Sequence, residues 1–466
     1  TDMEKFMSML SVEGYFFGVK FDENDEGHII VATLVPGSPA WKSGEFHAGD
    51  VLISLKWDGH DAVDIHGITL EETDEILEDA NHGTLEFTIR KADGLQKTVR
   101  LRKEKISLEE NFVRSFVLSG AKKIGYISLP DFYTRWGDQT EGARCANDVA
   151  KEILKLKKEG IEGLILDIRY NGGGSLWEAM AMAGIFIDEG SLGLIKDKNQ
   201  AVTILKDINR GTVYDGPLVI LVNGHSASAS EFLAGAIQDY HRGIIVGSRT
   251  FGKATAQEIF PLGQYAATKN IQEAIRQGSG FASITIGRFY RVTGRSTQGK
   301  GLVPDIALPD VFEALDYHEE KLPFAFGPDS VSKKTYFKPL AKLPIEEMRR
   351  RSAERVDASA SFQKLKNIYR WVSEEINEVK EPVLLLWQEF YKTHQEDILQ
   401  RKALTELSSK PTTLYTVVNN ESNQERMMTD EYSVEFIEHW KKKLLHDLYL
   451  EEAYAIACDY LTINKP

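Results

Sequence analysis

A serine-rich turn, Asn223-Gly-His-Ser-Ala-Ser-Ala-Ser-Glu231, is followed downstream by a lysine in Phe251-Gly-Lys253-Ala-Thr-Ala-Gln257. Serine and lysine together can carry out acyl transfer without a histidine, the hydroxyl attacking while a neutral amine takes its proton. At its reference pKa of about 10.4 a lysine is only about 0.04% neutral at pH 7. A base role therefore needs a fall of roughly 3 units, about 4 kcal/mol of differential desolvation. Lys253 is accordingly expected to be buried, and its apolar or small neighbours Phe251, Ala254 and Ala256 allow this. Gln257 can hold the amine through a hydrogen bond without adding a negative charge that would raise its pKa. Taken singly, a lysine after glycine is usually a solvated loop residue and serines at a helix start are usually caps. Their occurrence in one frame carries the reading.

The elements that must position these groups are legible. Pro217-Leu-Val-Ile-Leu-Val222 reads as a buried strand and Glu231-Phe-Leu-Ala-Gly-Ala-Ile237 as the first turns of a helix, so the small residues between them occupy a strand-to-helix turn. There a hydroxyl projects without crowding, and unpaired N–H groups favour a developing negative charge. Gly224-His-Ser226-Ala-Ser228 begins like a nucleophile elbow, but Ser228 stands where that motif needs its second glycine, so an α/β-hydrolase is the weaker reading. A Gly-Asp-Ser-Gly-Gly loop of the chymotrypsin type is absent, and His225 reads as a polar turn residue. Upstream, Lys123 to Pro130 is a strand, Cys145 to Lys158 has helical spacing, and Gly163 to Ile168 is a buried strand feeding Asp167-Ile-Arg-Tyr-Asn-Gly-Gly-Gly174. This alternation predicts a layered α/β fold. Asp167 and Arg169 are expected to pin the glycine turn through hydrogen bonds rather than to act on substrate.

The order and spacing of Ser226-Ala-Ser-Ala-Ser-Glu231, Gln238-Asp-Tyr240, Val246-Gly247, Thr250-Phe-Gly-Lys253 and Gln257 resemble the carboxyl-terminal processing peptidases, and among them most closely the periplasmic tail-specific proteases. The resemblance runs from about Ser8 to about Pro309. It implies that the nucleophile is the middle serine, Ser228, that the base is Lys253, 25 positions on, and that Gln257 orients the lysine. It also implies an oxyanion hole built from a glycine amide, Gly173 or Gly174, with the amide of Ala229, and a core of the ClpP and crotonase type. Thr297-Gln-Gly-Lys-Gly-Leu-Val-Pro-Asp305 resembles the segment that closes that core. The implied activity is that of a serine endopeptidase acting on proteins with free C-termini, without cofactor or metal. A periplasmic or cell-envelope location is implied too, and an adaptor protein is admitted as a further partner. The alternative is a non-catalytic binding or scaffold protein, since related cores also serve lipid-binding modules. The serine, lysine and glutamine at matched spacing argue against it.

Gly14-Tyr-Phe-Phe-Gly18-Val-Lys-Phe21, Val35-Pro-Gly-Ser-Pro-Ala40 and Ala48-Gly-Asp-Val-Leu-Ile53 follow one another as in a PDZ domain, expected over 11–105. Its loop amides near Phe17, Gly18 and Val19 would receive a carboxylate, the following strand would pair with an extended peptide, and a helix near Leu70 to Leu77 would line the groove with Ile76 or Leu77. The peptidase core is expected over 106–310 and a helical domain over 311–466, with helices at Phe362–Val379, Pro382–Lys402 and Val434–Cys458. Trp371, Trp387, Tyr391 and Trp440 are expected in its core, and Arg349-Arg-Arg351 on a solvated face. Residues 1–10 resemble the stretch before the PDZ domain, so the family's N-terminal helical region is expected to lie outside this chain. The sequence opens at Thr1 without Met, consistent with a removed secretory segment.

Composition limits the rest. The 466 residues are 42% hydrophobic and 27% charged, as for globular domains, and the net charge of −14 with no basic stripe argues against nucleic acid. No apolar run approaches the roughly 20 residues of a membrane span. Cys145 and Cys458 read as packed thiols, forming neither a disulfide framework nor a metal set.

Overall fold

The computed structural model describes residues 13–463 apart from 25, 36, 80–81, 108–111, 135–143, 208–209, 264–273, 275–278, 316, 333–334, 378–385, 408–409 and 422–430. The segment expected to precede the PDZ domain, and the start of the helix expected at Pro382, lie outside the described residues. The chain divides into two compact units, residues 1–111 with 260–282, and residues 112–259 with 283–466.

In the first unit β1 (Glu13–Phe16) pairs antiparallel with β8 (Glu104–Ser107). The strands β2 (Val19–Glu23), β3 (Ile29–Leu34), β4 (Val51–Trp57), β6 (Thr84–Arg90) and β7 (Gln96–Arg102) form one sheet in that order, with β5 (Val63–Asp64) on β4. Strict alternation in β6 turns Leu85, Phe87 and Ile89 inward, each fully buried. Ser38 caps α1 (Pro39–Ser43), and Thr69 with Glu72 forms a capping box on α2 (Leu70–Glu78). β2 is an edge strand, as a peptide-pairing groove requires.

The second unit is built on a seven-stranded sheet. Its members are β9 (Arg114–Gly120), β10 (Lys123–Ser128), β11 (Gly163–Asp167), β14 (Leu218–Val222), β15 (Ile244–Gly247), β18 (Ile306–Ala307) and β19 (Tyr415–Val418), in the order β18-β15-β14-β11-β10-β9-β19. From β10 to β18 the strands run parallel, while β9 pairs antiparallel with β10 on one side and with β19 on the other. The central β11 and β14 are buried at every residue, the mark of a parallel sheet covered on both faces. The helices α3 (Cys145–Lys158), α4 (Leu176–Phe186) and α5 (Ala229–Asp239) pack on one another, α3 also on β9 and β10 and α5 on β15. A second sheet joins β12 (Ser191–Asp197), β13 (Val202–Lys206), β16 (Thr255–Pro261) and β17 (Phe281–Tyr290).

The C-terminal third is largely helical: α6 (Ile345–Ala358), α7 (Ala360–Asn377), α8 (Trp387–Glu406), α9 (Glu431–Leu445) and α10 (Leu448–Ile463). Yet it also supplies β19, and its Leu444, Leu450, Tyr454 and Ile456 share one core with Tyr126, Ile165, Val219 and Leu221 of the sheet. That face of the sheet needs an apolar cover, and the C-terminal residues provide it. Two expectations change. The helix expected from Val434 to Cys458 is broken at His446-Asp447 into α9 and α10. Trp440 packs against the core, but Trp387 and Tyr391 are exposed, their rings tilted at 34° with centroids 6.1 Å apart, because α8 presents them outward. Arg350 lies on an exposed face paired with Glu347 and Glu354, whereas Arg351 also reaches Asp459 of α10.

Candidate active site

Four adjacent parallel strands, β15, β14, β11 and β10, deliver their carboxyl ends to one place, where open α/β sheets put their sites. β14 leads into the serine turn, β11 into the glycine turn, β15 into the segment ending at Lys253, and β10 into Leu129-Pro-Asp-Phe132.

Ser228 stands at the start of α5 with φ 56° and ψ −112°, a conformation that non-glycine residues avoid at a cost of order 1–3 kcal/mol. Its flanking serines are committed elsewhere. Ser226 donates to the carbonyl of Ile168 at 2.8 Å and Ser230 to that of Asn171 at 2.9 Å, and both are fully buried. The outer two serines thus fasten the serine turn to the glycine turn, and the half-buried Ser228 stands apart from that latch. Ala229 follows as the first residue of α5, buried, with its amide at the helix N-terminus.

The glycine turn is held against Ser228. A Cβ on Gly173 would stand 2.8 Å from the Cβ of Ser228 and 3.2 Å from the Ala229 nitrogen, and φ is +113° there, so only glycine fits. The Gly173 amide donates to Asn171 Oδ1 at 2.9 Å, which binds it within the turn. At Gly174 (φ +123°) a Cβ would meet the Phe132 carbonyl at 2.6 Å and Asp131 Oδ1 at 3.0 Å. Burial pushes the Asp131 carboxyl up to about 6, against the pull of a hydrogen bond from the Phe132 amide. Asn171 is fully buried, donating from Nδ2 to the Leu129 carbonyl while its own carbonyl receives the Ala227 amide.

Lys253 lies across the site on the third loop. Its Nζ donates to Gln257 Oε1 at 3.4 Å, so the expected lysine and glutamine do meet. The full burial expected of Lys253 is not found: it is half-buried and Gln257 exposed, because the strand that follows opens its outward positions to solvent. What joins the two loops is Glu231, which the sequence reading passed over. Its Oε2 accepts from the backbone amides of Ser228 (2.9 Å) and Lys253 (2.8 Å), and its Oε1 from Thr250 Oγ1 (2.6 Å) and the Gly252 amide (2.9 Å). One carboxylate oxygen therefore holds the backbone nitrogens of both candidate catalytic residues. Burial pushes the Glu231 carboxyl up to about 8, while the four donors, which suit an ionised carboxylate, pull it down. Ser-x-x-Glu is a visible capping-box signal, but its partners 19 to 22 residues downstream are not.

Asp167 and Arg169 pair with each other, Arg169 Nη2 donating to Asp167 Oδ2 at 2.6 Å and Tyr126 Oη to the same oxygen at 2.9 Å. A third member comes from the C-terminal third: Arg169 Nη1 and Nη2 donate to the two oxygens of Asp447 at 3.1 and 2.6 Å. Burial works to lower the Arg169 pKa, but the two carboxylates hold it well above its usual value. Burial likewise works to raise that of Asp447, and Arg169 outweighs it. His225 is stacked between Tyr170 (5.4 Å) and Tyr317 (4.7 Å), with Phe312 edge-on at 5.0 Å.

In the first unit Gly18 has φ +78°, and a Cβ there would overlap Ser38 at 2.0 Å. The Phe17 and Gly18 carbonyls accept from Ala40 and Val35, while the Phe17 ring is buried edge-on to Phe87 at 5.3 Å. Val19, Ile76 and Leu77 are half-buried along β2 and α2. Among the described residues no group of three or more His, Cys, Asp or Glu forms a metal site, and both cysteines are free thiols.

Comparison with known proteins gives the same domain order. Residues 123–308 match peptidase family S41, residues 312–462 the C-terminal domain of tail-specific protease, and residues 7–90 the PDZ domain. The chain is 34% identical over 329 residues to the tail-specific protease of Haemophilus influenzae, covering 70% of this chain and 45% of that protein. It is 31% identical over 313 residues to the chloroplastic C-terminal processing peptidase of Tetradesmus obliquus, covering 65% and 61%. The chain thus spans about half to three fifths of the length of these two relatives. Among solved structures, a photosystem II D1 C-terminal processing protease is matched with 29% identity and a TM-score of 0.37 over 63% of this chain and 72% of that one. By its sequence the chain carries the domain set of the carboxyl-terminal processing peptidases, a peptidase family S41 core between a PDZ domain and the C-terminal domain of a tail-specific protease.

Proposed function

We propose that this chain is a serine endopeptidase with a Ser228-Lys253 dyad, acting on proteins whose free C-termini its PDZ domain receives. The observation that carries the reading is the strained backbone of Ser228, tied through one Glu231 oxygen to the backbone of Lys253. Strain at a serine on a strand-to-helix turn is what a nucleophile held for attack requires. Ser228 Oγ attacks the substrate carbonyl as the Lys253 amine takes the hydroxyl proton. The oxyanion that forms is met by the Ala229 amide and a glycine-turn amide, Gly173 or Gly174. Of these two, Gly174 is favoured, since the Gly173 amide already serves Asn171. Lys253 then passes its proton to the leaving amine, and water releases the acyl group by the same steps in reverse. Gln257 accepts from the lysine amine and turns its lone pair toward the serine. Phe17, Gly18 and Val19 bind the terminal carboxylate, β2 pairs with the peptide, and Ile76 and Leu77 face its last side chain. A periplasmic or envelope setting and an adaptor partner belong to the same reading. Among the described residues no helix is long and apolar enough to cross a membrane.

The test is cleavage of an unstructured protein by the full chain. Ser228→Ala is expected to abolish turnover and Lys253→Ala to lower it about 100-fold to 10,000-fold with the fold retained. Parent-like cleavage by either variant removes that residue from the mechanism.

A further inference from the structure

The break between α9 and α10 places Asp447 against the root of the glycine turn, 278 positions away in sequence from Arg169. We propose that Asp447 is a positioning residue for the candidate oxyanion loop, so that the C-terminal third takes part in catalysis by holding Arg169. Beside the bonds made by Ser226, Ser230 and Asn171, the turn is fastened at three further places. Asn223 Oδ1 receives the Tyr170 amide at 2.9 Å, the Phe132 amide donates to the Gly173 carbonyl at 2.8 Å, and Asp447 grips the Arg169 guanidinium with both oxygens. The first two fastenings lie at and beyond the point where the chain reverses. The third lies before it, and Asp447 and Asp167 together make it.

Between Arg169 and Asn171 sits Tyr170, exposed and at φ 63°, a left-handed conformation that an aromatic residue keeps only when both neighbours are fixed. Asn171 is fixed by its buried hydrogen bonds; Arg169 is fixed by a planar fork shared between two carboxylates. Without Asp447, Asp167 still holds Nε and Nη2, but Nη1 loses its acceptor and the outer edge of the guanidinium is no longer fixed. Tyr170 then relaxes, and the displacement passes through Asn171 to Gly173 and Gly174 beside Ser228. Asp447 is itself immobilised, because its Oδ1 accepts from the Tyr449 and Leu450 amides at 3.0 Å as the cap of α10, and Tyr449 in turn donates from Oη to the Pro309 carbonyl. A single side chain thus starts the helix and clamps the turn.

Those two roles separate by substitution. Asp447→Ser and Asp447→Asn both keep a capping oxygen for α10, but serine is too short for Arg169 and asparagine lacks the charge and half the fork. In the full chain both are expected to lower kcat about 10-fold to 100-fold, with KM within about twofold of the parent, as for a misplaced transition-state donor. Arg169→Lys should reproduce the loss, and the double variant with Asp447→Ser should be no worse than the poorer single variant. Hydrogen exchange gives a readout independent of turnover: amides in 169–175 should exchange at least about 10-fold faster in both Asp447 variants, while those inside α10 keep parental rates. If Asp447→Ser fails to fold, Asp447→Asn carries both measurements. Unchanged exchange in 169–175, unchanged kcat in an active parent, or faster exchange confined to α10 would overturn the proposal. The kinetic arm rests on the peptidase reading, whose own failure would appear as equal cleavage by parent and Ser228→Ala, with the exchange arm still deciding the clamp.

Discussion

Glu231 shows how one buried carboxylate can be both a fold determinant and a link in a site. Four donors converge on it, and removing the oxygens that satisfy them leaves buried N–H groups without acceptors, at about 1–3 kcal/mol each. Its carboxyl is pushed by burial up to about 8 in the folded chain, above the 4.5 of an exposed glutamate. The folded state therefore holds the proton more tightly than the unfolded one, so this group's contribution is fullest below the unfolded value. Stability is lost as pH climbs through about 8. We expect the parent chain to unfold at a lower denaturant concentration at pH 8.5 than at pH 6. Glu231→Gln should be less stable at both values but should lose this part of the slope. An equal slope in parent and variant would assign the titration to another group. Because the same oxygen holds Ser228 and Lys253, Glu231→Gln should also lower turnover at least about 10-fold, measured at a pH where it remains folded.

At the level of elements, the edge strand β19 is the piece whose role is easiest to misjudge. It pairs with β9 in the register Tyr415 to Gly120 through Val418 to Val117, so the sheet is completed by a segment nearly 300 positions downstream. Close approach is permitted by Gly120, where a Cβ would stand 2.0 Å from the Leu414 carbonyl and 2.6 Å from Tyr454 Oη. That hydroxyl is already used, accepting from the Lys122 amide at 3.0 Å and donating to the Lys122 carbonyl at 2.8 Å. Gly120→Ala is thus expected to destabilise the second unit by about 1–3 kcal/mol, the usual cost of overpacking. In denaturant melts a midpoint within error of the parent's would mean that β19 can shift outward without loss.

On the scale of the whole molecule, the functional reading requires substrate to be held by the first unit while the second cuts. If the Phe17, Gly18 and Val19 amides receive an α-carboxylate, a peptide with an apolar C-terminus should bind the full-length Ser228→Ala chain more tightly than its C-terminal amide. The difference should be about 10-fold to 150-fold, the worth of a hydrogen bond to a charged group. Calorimetric titration of the two peptides checks this. Equal affinities would remove C-terminal recognition while leaving the dyad standing, and competition by the acid peptide in the cleavage assay tests whether binding there governs degradation.

What the sequence determined by itself was local. The buried strand before the serine turn, the helix from Cys145 to Lys158, the glycine turn and the Lys253 to Gln257 contact are all written in short windows whose periodicity, glycines and small residues leave few alternatives. Glycine at 173 is also a local requirement, because its positive φ and close approach to Ser228 suit no other residue. Tertiary structure decided what depends on partners far along the chain. Glu231 reads as a helix cap until Thr250, Gly252 and Lys253 arrive around it. The segment from Val434 to Cys458 reads as one helix, because its apolar spacing continues through His446 and Asp447. At the break Asp447 meets Arg169 and caps α10, two contacts whose partners the local spacing does not show. Trp387 and Tyr391 read as core because large aromatic rings usually bury, yet the sheet face was already covered by α9 and α10. Periodicity specifies that a face is apolar; which surface covers it is settled by competition among all such faces for the same core.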